Sequence, residues 1–201
     1  MTCFKVKREK GQEMAKTASM RMDSLDFIFE NSPVRIVANR NCAELKLAGL
    51  SVGPFEEGNE YEVSYWVASE LAKSGIVHFH AEDQLDTGRL GKIQWTERVQ
   101  TAGQVSKLPE GFYPRLRRCL AELREGAANN PEKMREYERA DQLATDIVNS
   151  RLRKVVSIAS APAQTESRLR DFTAEERLLY ERLFSVINHW KTRILKRAEG
   201  E

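Results

Sequence analysis

The chain has 201 residues, 41% of them apolar and 31% charged, the composition of a soluble globular protein able to bury about 70% of its unfolded surface without disulfides or metals. Lys and Arg exceed Asp and Glu by only two, so the overall charge does not predict nucleic-acid binding, and any such claim must come from local clusters. Cys3, Cys42 and Cys119 are odd in number and far apart, which excludes a disulfide framework or a paired-cysteine zinc site, and no run reaches the ~20 apolar residues of a membrane span.

Residues 1–22 carry Lys5, Lys7, Arg8, Lys10, Lys16 and Arg21 against Glu9 and Glu13, and read as a flexible basic tail. Residues 23–82 read as a small β-rich domain. Short strand-type segments at 34–37, 45–47, 61–63 and 76–79 are punctuated by Asn39, Gly49, Gly53-Pro54 and Gly58-Asn59. Residues 64–73, SYWVASELAK, predict one short helix capped by Ser64, packed by Tyr65 or Trp66 and stopped by Gly75.

Residues 83–107 contain Ile93, Trp95 and Val99 as a weak periodic core and read as a linker with a short helix over 93–102. The composition then changes. Residues 108–197 offer no convincing strand and predict an all-α helical domain, so the fold class is α+β, a small β-rich N-terminal domain followed by a helical bundle.

Within that bundle, Leu116, Cys119, Leu120 and Leu123 share one helical face among arginines. Pro131 opens the longest amphipathic rod, residues 132–159, where Tyr137, Ala140, Ala144, Ile147, Val148, Leu152, Val155 and Ala159 recur at steps of three or four. Thr173 and Glu176 have capping-box spacing. The helix they open places Leu179, Tyr180, Leu183, Phe184, Ile187, Trp190 and Ile194 on a broad apolar face.

Gly53-Pro54-Phe55, Gly58, Tyr61-Glu62-Val63, Trp66, Ala68, Leu71 and Gly75 resemble the small β domain of GINS subunits. Glu136-Tyr137, Arg151-Leu152-Arg153-Lys154, Ala159 and Leu179-Tyr180 after Thr173-Ala174-Glu175-Glu176-Arg177 resemble that family's helical domain. The two together cover about two thirds of the chain. The resemblance implies an archaeal, non-enzymatic scaffold of the replicative helicase assembly in chromosomal DNA replication, with no catalytic residues and no cofactor. It implies a homo- or hetero-tetramer with other GINS subunits, as well as an MCM helicase and a RecJ-like protein as partners. The β-first order resembles the subunit type akin to the second and third eukaryotic subunits. A cytoplasmic, nucleoid-associated location with no membrane contact is expected. Subunit contacts are expected at Tyr137, Leu152, Val155, Tyr180 and Phe184.

Other chemistry rests on fewer residues. Arg151, Arg153 and Lys154, with Arg115, Arg117 and Arg118, form a candidate phosphate-binding patch, which makes a DNA-binding regulator with a basic helix the alternative reading. Cations on a helix are more often solvated or paired. His78 and His80 alternate beside Glu82 and Asp83, a spacing able to hold zinc or iron but common by chance and short of a third positioned ligand. Metalloprotease, P-loop and nucleophile-elbow motifs do not occur in the sequence.

Overall fold

A computed structural model describes residues 22–100, 104–128, 130–161 and 169–195; most of the basic tail expected over residues 1–22 lies outside them. The chain divides into two units, Met1–Gln84 and Leu85–Glu201.

The first described element of the N-terminal unit is a helix over residues 22–30 (α1) that the strand pattern did not anticipate. Its buried Phe29 packs in a tilted ring pair with Tyr65, centroids 4.6 Å apart. Strand β1 (Pro33–Ala38) is central to an antiparallel sheet, flanked by β4 (Glu60–Ser64) and β5 (Val77–Phe79). Val34, Ile36 and Ala38 alternate inward along β1 while Arg35 faces solvent, the pattern of a sheet covered on one side. The cover is α2 (Tyr65–Lys73), which buries Val67, Ala68 and Leu71. Ser64 occupies the position before α2, but its side chain makes no cap bond; Gly75, at φ +67°, ends the helix as expected.

Strands β2 (Leu45–Leu47) and β3 (Leu50–Val52) form a separate hairpin. Its turn residues Ala48 and Gly49 both have positive φ, the mirror-image turn that suits the right-handed twist of paired strands. Without an Asn-Gly or Asp-Gly pair, β3 carried no sequence signal.

In the C-terminal unit, α3 (Thr87–Val99) corrects the expectation of a linker over 83–107. Its Leu90 is fully buried against Leu108, Phe112, Leu116 and Ile147, so this segment is part of the bundle. Asp86 caps it by accepting from Arg89 N at 2.7 Å, so that the helix starts at Thr87, six residues before the expected start. The amphipathic period was weak because the two buried positions of the helix are one apolar residue, Leu90, and one carboxylate, Glu97.

Helix α4 (Phe112–Ala127) and the 30-residue α5 (Pro131–Ser160) follow, then α6 (Ala174–Leu195). Asn130 starts α5 by accepting from Glu132 N and Lys133 N. At 1.5 Å per residue α5 is about 45 Å long, and it serves two apolar clusters. Ala140, Ala144 and Ile147 pack with α3 and α4, whereas Val155, Ile158 and Ala159 pack with Phe172 and Tyr180 of the last segment. Between these clusters lies charge.

Candidate functional site

Arg151 sits on α5 between Ile147 and Val155 and is 1% exposed. A buried guanidinium is stable only when its donors are satisfied. Here all five N–H groups have acceptors. Nε donates to Glu176 Oε1 at 2.7 Å and Nη2 to Glu176 Oε2 at 2.5 Å, while Nη1 donates to Glu97 Oε1 at 2.9 Å. The two remaining bonds go to the backbone carbonyls of Ser106, at 2.6 Å, and Asp171, at 3.3 Å. One side chain therefore ties together α3, the strap after it, α5 and the start of α6.

One turn further along α5, Lys154 reaches the other oxygen of Glu97 at 2.7 Å and its backbone carbonyl at 3.1 Å. Ser106 donates to Glu97 through both its amide and its hydroxyl. Tyr113 of α4 donates its hydroxyl to Glu176 at 2.6 Å. Glu176 also closes the capping box, accepting from Thr173 N at 3.0 Å while its own amide donates to Thr173 Oγ1 at 3.3 Å.

Two cations and two carboxylates make the cluster neutral. Burial alone would raise the Glu97 carboxyl, but the hydrogen bonds from Lys154 and Ser106 and the charge of Arg151 outweigh it and hold the group below its ordinary value. Burial likewise works against the Arg151 charge, and Glu176 and Glu97 more than restore it. The Tyr113 hydroxyl is pushed up, first by burial and then by Glu176. These side chains spend their polar atoms on one another, so the cluster presents no free acid, base or nucleophile; its chemistry is structural.

This arrangement corrects part of the sequence reading. Arg151 and Lys154, expected as DNA or charged surface contacts, are interior ion-pair partners, and of that trio Arg153 alone is exposed. Val155 and Tyr180, expected at a subunit interface, are buried within this chain. Phe184 is half-buried against Tyr180 at 5.7 Å, Tyr137 is half-buried, and Leu152 is 43% exposed. Glu97, Ser106 and Tyr113 were missed. The signal available for Glu97 was that it is the one carboxylate in α3, whose other charges are Arg89, Lys92 and Arg98.

Apolar side chains that the bundle leaves outside form two further stripes. Val148, Leu152 and Val156 are exposed at successive four-residue steps on α5. Leu179, Val186, Trp190 and Ile194 are exposed along α6, Trp190 at 62%. The broad face predicted for α6 is thus divided, with Tyr180, Leu183 and Ile187 turned inward.

His78 bonds through Nδ1 to Asn39 at 2.5 Å, and His80 lies 3.7 Å from Glu60. Among the described residues, no group of three or more His, Cys, Asp or Glu side chains is placed to hold a metal ion. Cys119 donates to the carbonyl of Leu85, and burial, followed by the nearby carboxylates, pushes its thiol above the ordinary value, away from the reactive thiolate. No described helix is long and apolar enough to cross a membrane.

Comparison with known proteins matches both units. The PSF2 N-terminal domain family matches residues 21–84, and the GINS complex protein helical bundle domain family matches residues 84–195. A curated Homo sapiens relative, "DNA replication complex GINS protein PSF2", is 26% identical over 150 residues, covering 73% of this chain and 75% of its own.

Proposed function

The chain belongs to the GINS family as a subunit of a DNA-replication complex, and on that premise we propose that it is the PSF2-type subunit, a non-catalytic scaffold that works by positioning its partners. The observation that carries this reading is the pair of exposed apolar stripes, Val148–Leu152–Val156 on α5 and Leu179–Val186–Trp190–Ile194 on α6. Contiguous apolar surface on a water-exposed helix marks an interaction site. Burying one such large side chain contributes about 2 kcal/mol, and Trp is the residue type most enriched among interface anchors.

The subunit contact therefore centres on Leu152 and Trp190, with Phe184 and Tyr137 at its margins. The saturated ion cluster supports the scaffold reading, since it fixes the relative placement of α3, α5 and α6 and so holds the outer stripes in one geometry. The tetramer joins this chain to other GINS subunits. Within the same reading, the assembled complex bridges an MCM helicase and a RecJ-like protein, and any effect on unwinding is indirect, through the geometry of the helicase.

Native mass measured on the full-length chain, alone and co-expressed with its partner subunits, tests the proposal. A stable tetramer in at least one of the two preparations is expected. Monomer in both, at micromolar concentration, refutes it.

A further inference from the structure

We infer that the outer face of α3 docks an acidic, amphipathic helix of a partner protein, with Trp95 as the anchor. Trp95 and Val99, expected as part of a weak periodic core, stand outside it, 66% and 63% exposed. The buried positions of α3 are Leu90 and Glu97. At about 100° per residue, the face turned away from them holds Gly88, Gly91, Lys92, Trp95, Arg98 and Val99. Trp95 and Val99 lie one turn apart along its midline. Lys92 flanks that midline one turn before Trp95, and Arg98 flanks it on the other side one turn after. A Cβ added at Gly91 would meet nothing within 4 Å, so a partner backbone can approach α3 closely beside the indole.

Charge selects the occupant. Glu97, the one carboxylate of α3, is taken up in the interior by Arg151 and Lys154, so the charges left for the outer surface of the helix are cations alone. Lys92 and Arg98 are exposed and make no ion pair among the described residues. The α6 stripe, by contrast, has charges of both signs on its flank, Glu175 and Arg182. A partner with carboxylates on either side of an apolar ridge satisfies both cations of α3 at once, whereas a basic partner meets like charge on both flanks.

The shape of the track sets the form of the occupant. From Gly88 to Val99 it runs along α3 for about 17 Å, the length of three turns of a second helix, whose residues at i, i+3 or i+4 and i+7 meet the glycines, Trp95 and Val99 in turn. The track is also separate from the proposed subunit contact. Gln94 of α3 donates to Asp146 of α5 at 3.4 Å, and Asp146 and Leu152 stand about 120° apart around α5. The α3 face and the α5 stripe therefore open on different sides of the helical unit, and one can be occupied without the other.

A phage-displayed library of amphipathic helical peptides, selected on the full-length chain and counter-selected on Trp95→Ala, tests the inference. Peptides that lose about tenfold or more in affinity against Trp95→Ala are expected, with Asp and Glu enriched on both flanks of their apolar stripe. Lys92→Glu/Arg98→Glu should weaken the same peptides by about tenfold or more, and versions carrying Lys for Glu should prefer that variant. Both variants alter exposed side chains, and an unchanged helical circular dichroism spectrum and native mass show that fold and subunit assembly are intact. Selected peptides that are neutral or basic overturn the proposal, as does a library without a Trp95-dependent binder. Loss of self-association in Trp95→Ala overturns it by assigning the face to a second copy. Tighter Trp95-dependent binding of an oligo-dT probe overturns it by assigning the face to single-stranded nucleic acid.

Discussion

Arg151 and Glu176, 25 residues apart in the chain, form a two-pronged ion pair in the interior of the helical unit, Nε to Oε1 at 2.7 Å and Nη2 to Oε2 at 2.5 Å. Glu176 makes this pair while also closing the capping box as the third residue of α6. The start of α6 and its docking onto α5 therefore depend on the same carboxylate. Coupling a local cap to a long-range pair makes the helix boundary a tertiary property as much as a local one.

Truncating Arg151 to Ala leaves Glu97 and Glu176 buried without their shared cation, a change that costs about 3–5 kcal/mol. Arg153→Ala, two residues further along α5 on the exposed face, should change stability by no more than about 0.5 kcal/mol. Urea denaturation followed by helical circular dichroism separates the two. Equal effects would contradict the placement of Arg151 in the interior.

Glu97→Gln removes the anion shared by Arg151, Lys154 and Ser106, and should destabilise the helical unit by about 3 kcal/mol or more. The loss should be concentrated in α3, whose attachment to α5 includes this carboxylate. Faster amide exchange is thus expected first along Thr87–Val99, with the β unit unchanged.

The pH dependence follows from the depressed Glu97 carboxyl. The folded group titrates below its unfolded value, near 4.5, so its stabilising contribution is present above that pH and is lost as pH falls through the lower folded value. Tyr113 acts at the other end. Its raised folded pKa gives a contribution that is complete below the ordinary value of 10.0 and declines as pH rises beyond it. Between these limits neither group should contribute a slope to the denaturation midpoints. Glu97→Gln should reduce the acid slope and Tyr113→Phe the alkaline one.

Leu152→Asp and Trp190→Asp place a charge on each exposed stripe without entering the core. The expected outcome is a folded chain with an unchanged helical spectrum that no longer assembles with its partner subunits in native mass measurements. Retained assembly in both variants would move the subunit contact elsewhere on the surface.

Removing the Thr173 hydroxyl with Thr173→Ala should cost about 1 kcal/mol through loss of the cap. Because Glu176 keeps its bond to the Thr173 amide and its pair with Arg151, the cost should remain far below that of Arg151→Ala. Parallel denaturation curves with equal slopes would confirm that the change is in stability alone.

Local chemistry determined much of this protein directly from the sequence. The alternation of Val34, Ile36 and Ala38, the 3.6-residue recurrence through Ala140, Ala144 and Ile147, and the Thr173–Glu176 spacing are satisfied within a few residues, so they are written where they act. The family resemblance was legible for the same reason, as turn and helix motifs are local. Tertiary structure alone decided where charges and apolar stripes point. Adjacent α5 residues lie about 100° apart, so Arg151 and Lys154 face inward while Leu152 and Arg153 face out, and only the position of Glu97 and Glu176 on other helices fixes which side is inside. Segment α3 shows the converse: its inward face carries Glu97, a carboxylate that is stable in the interior only because Arg151 and Lys154 are there to meet it.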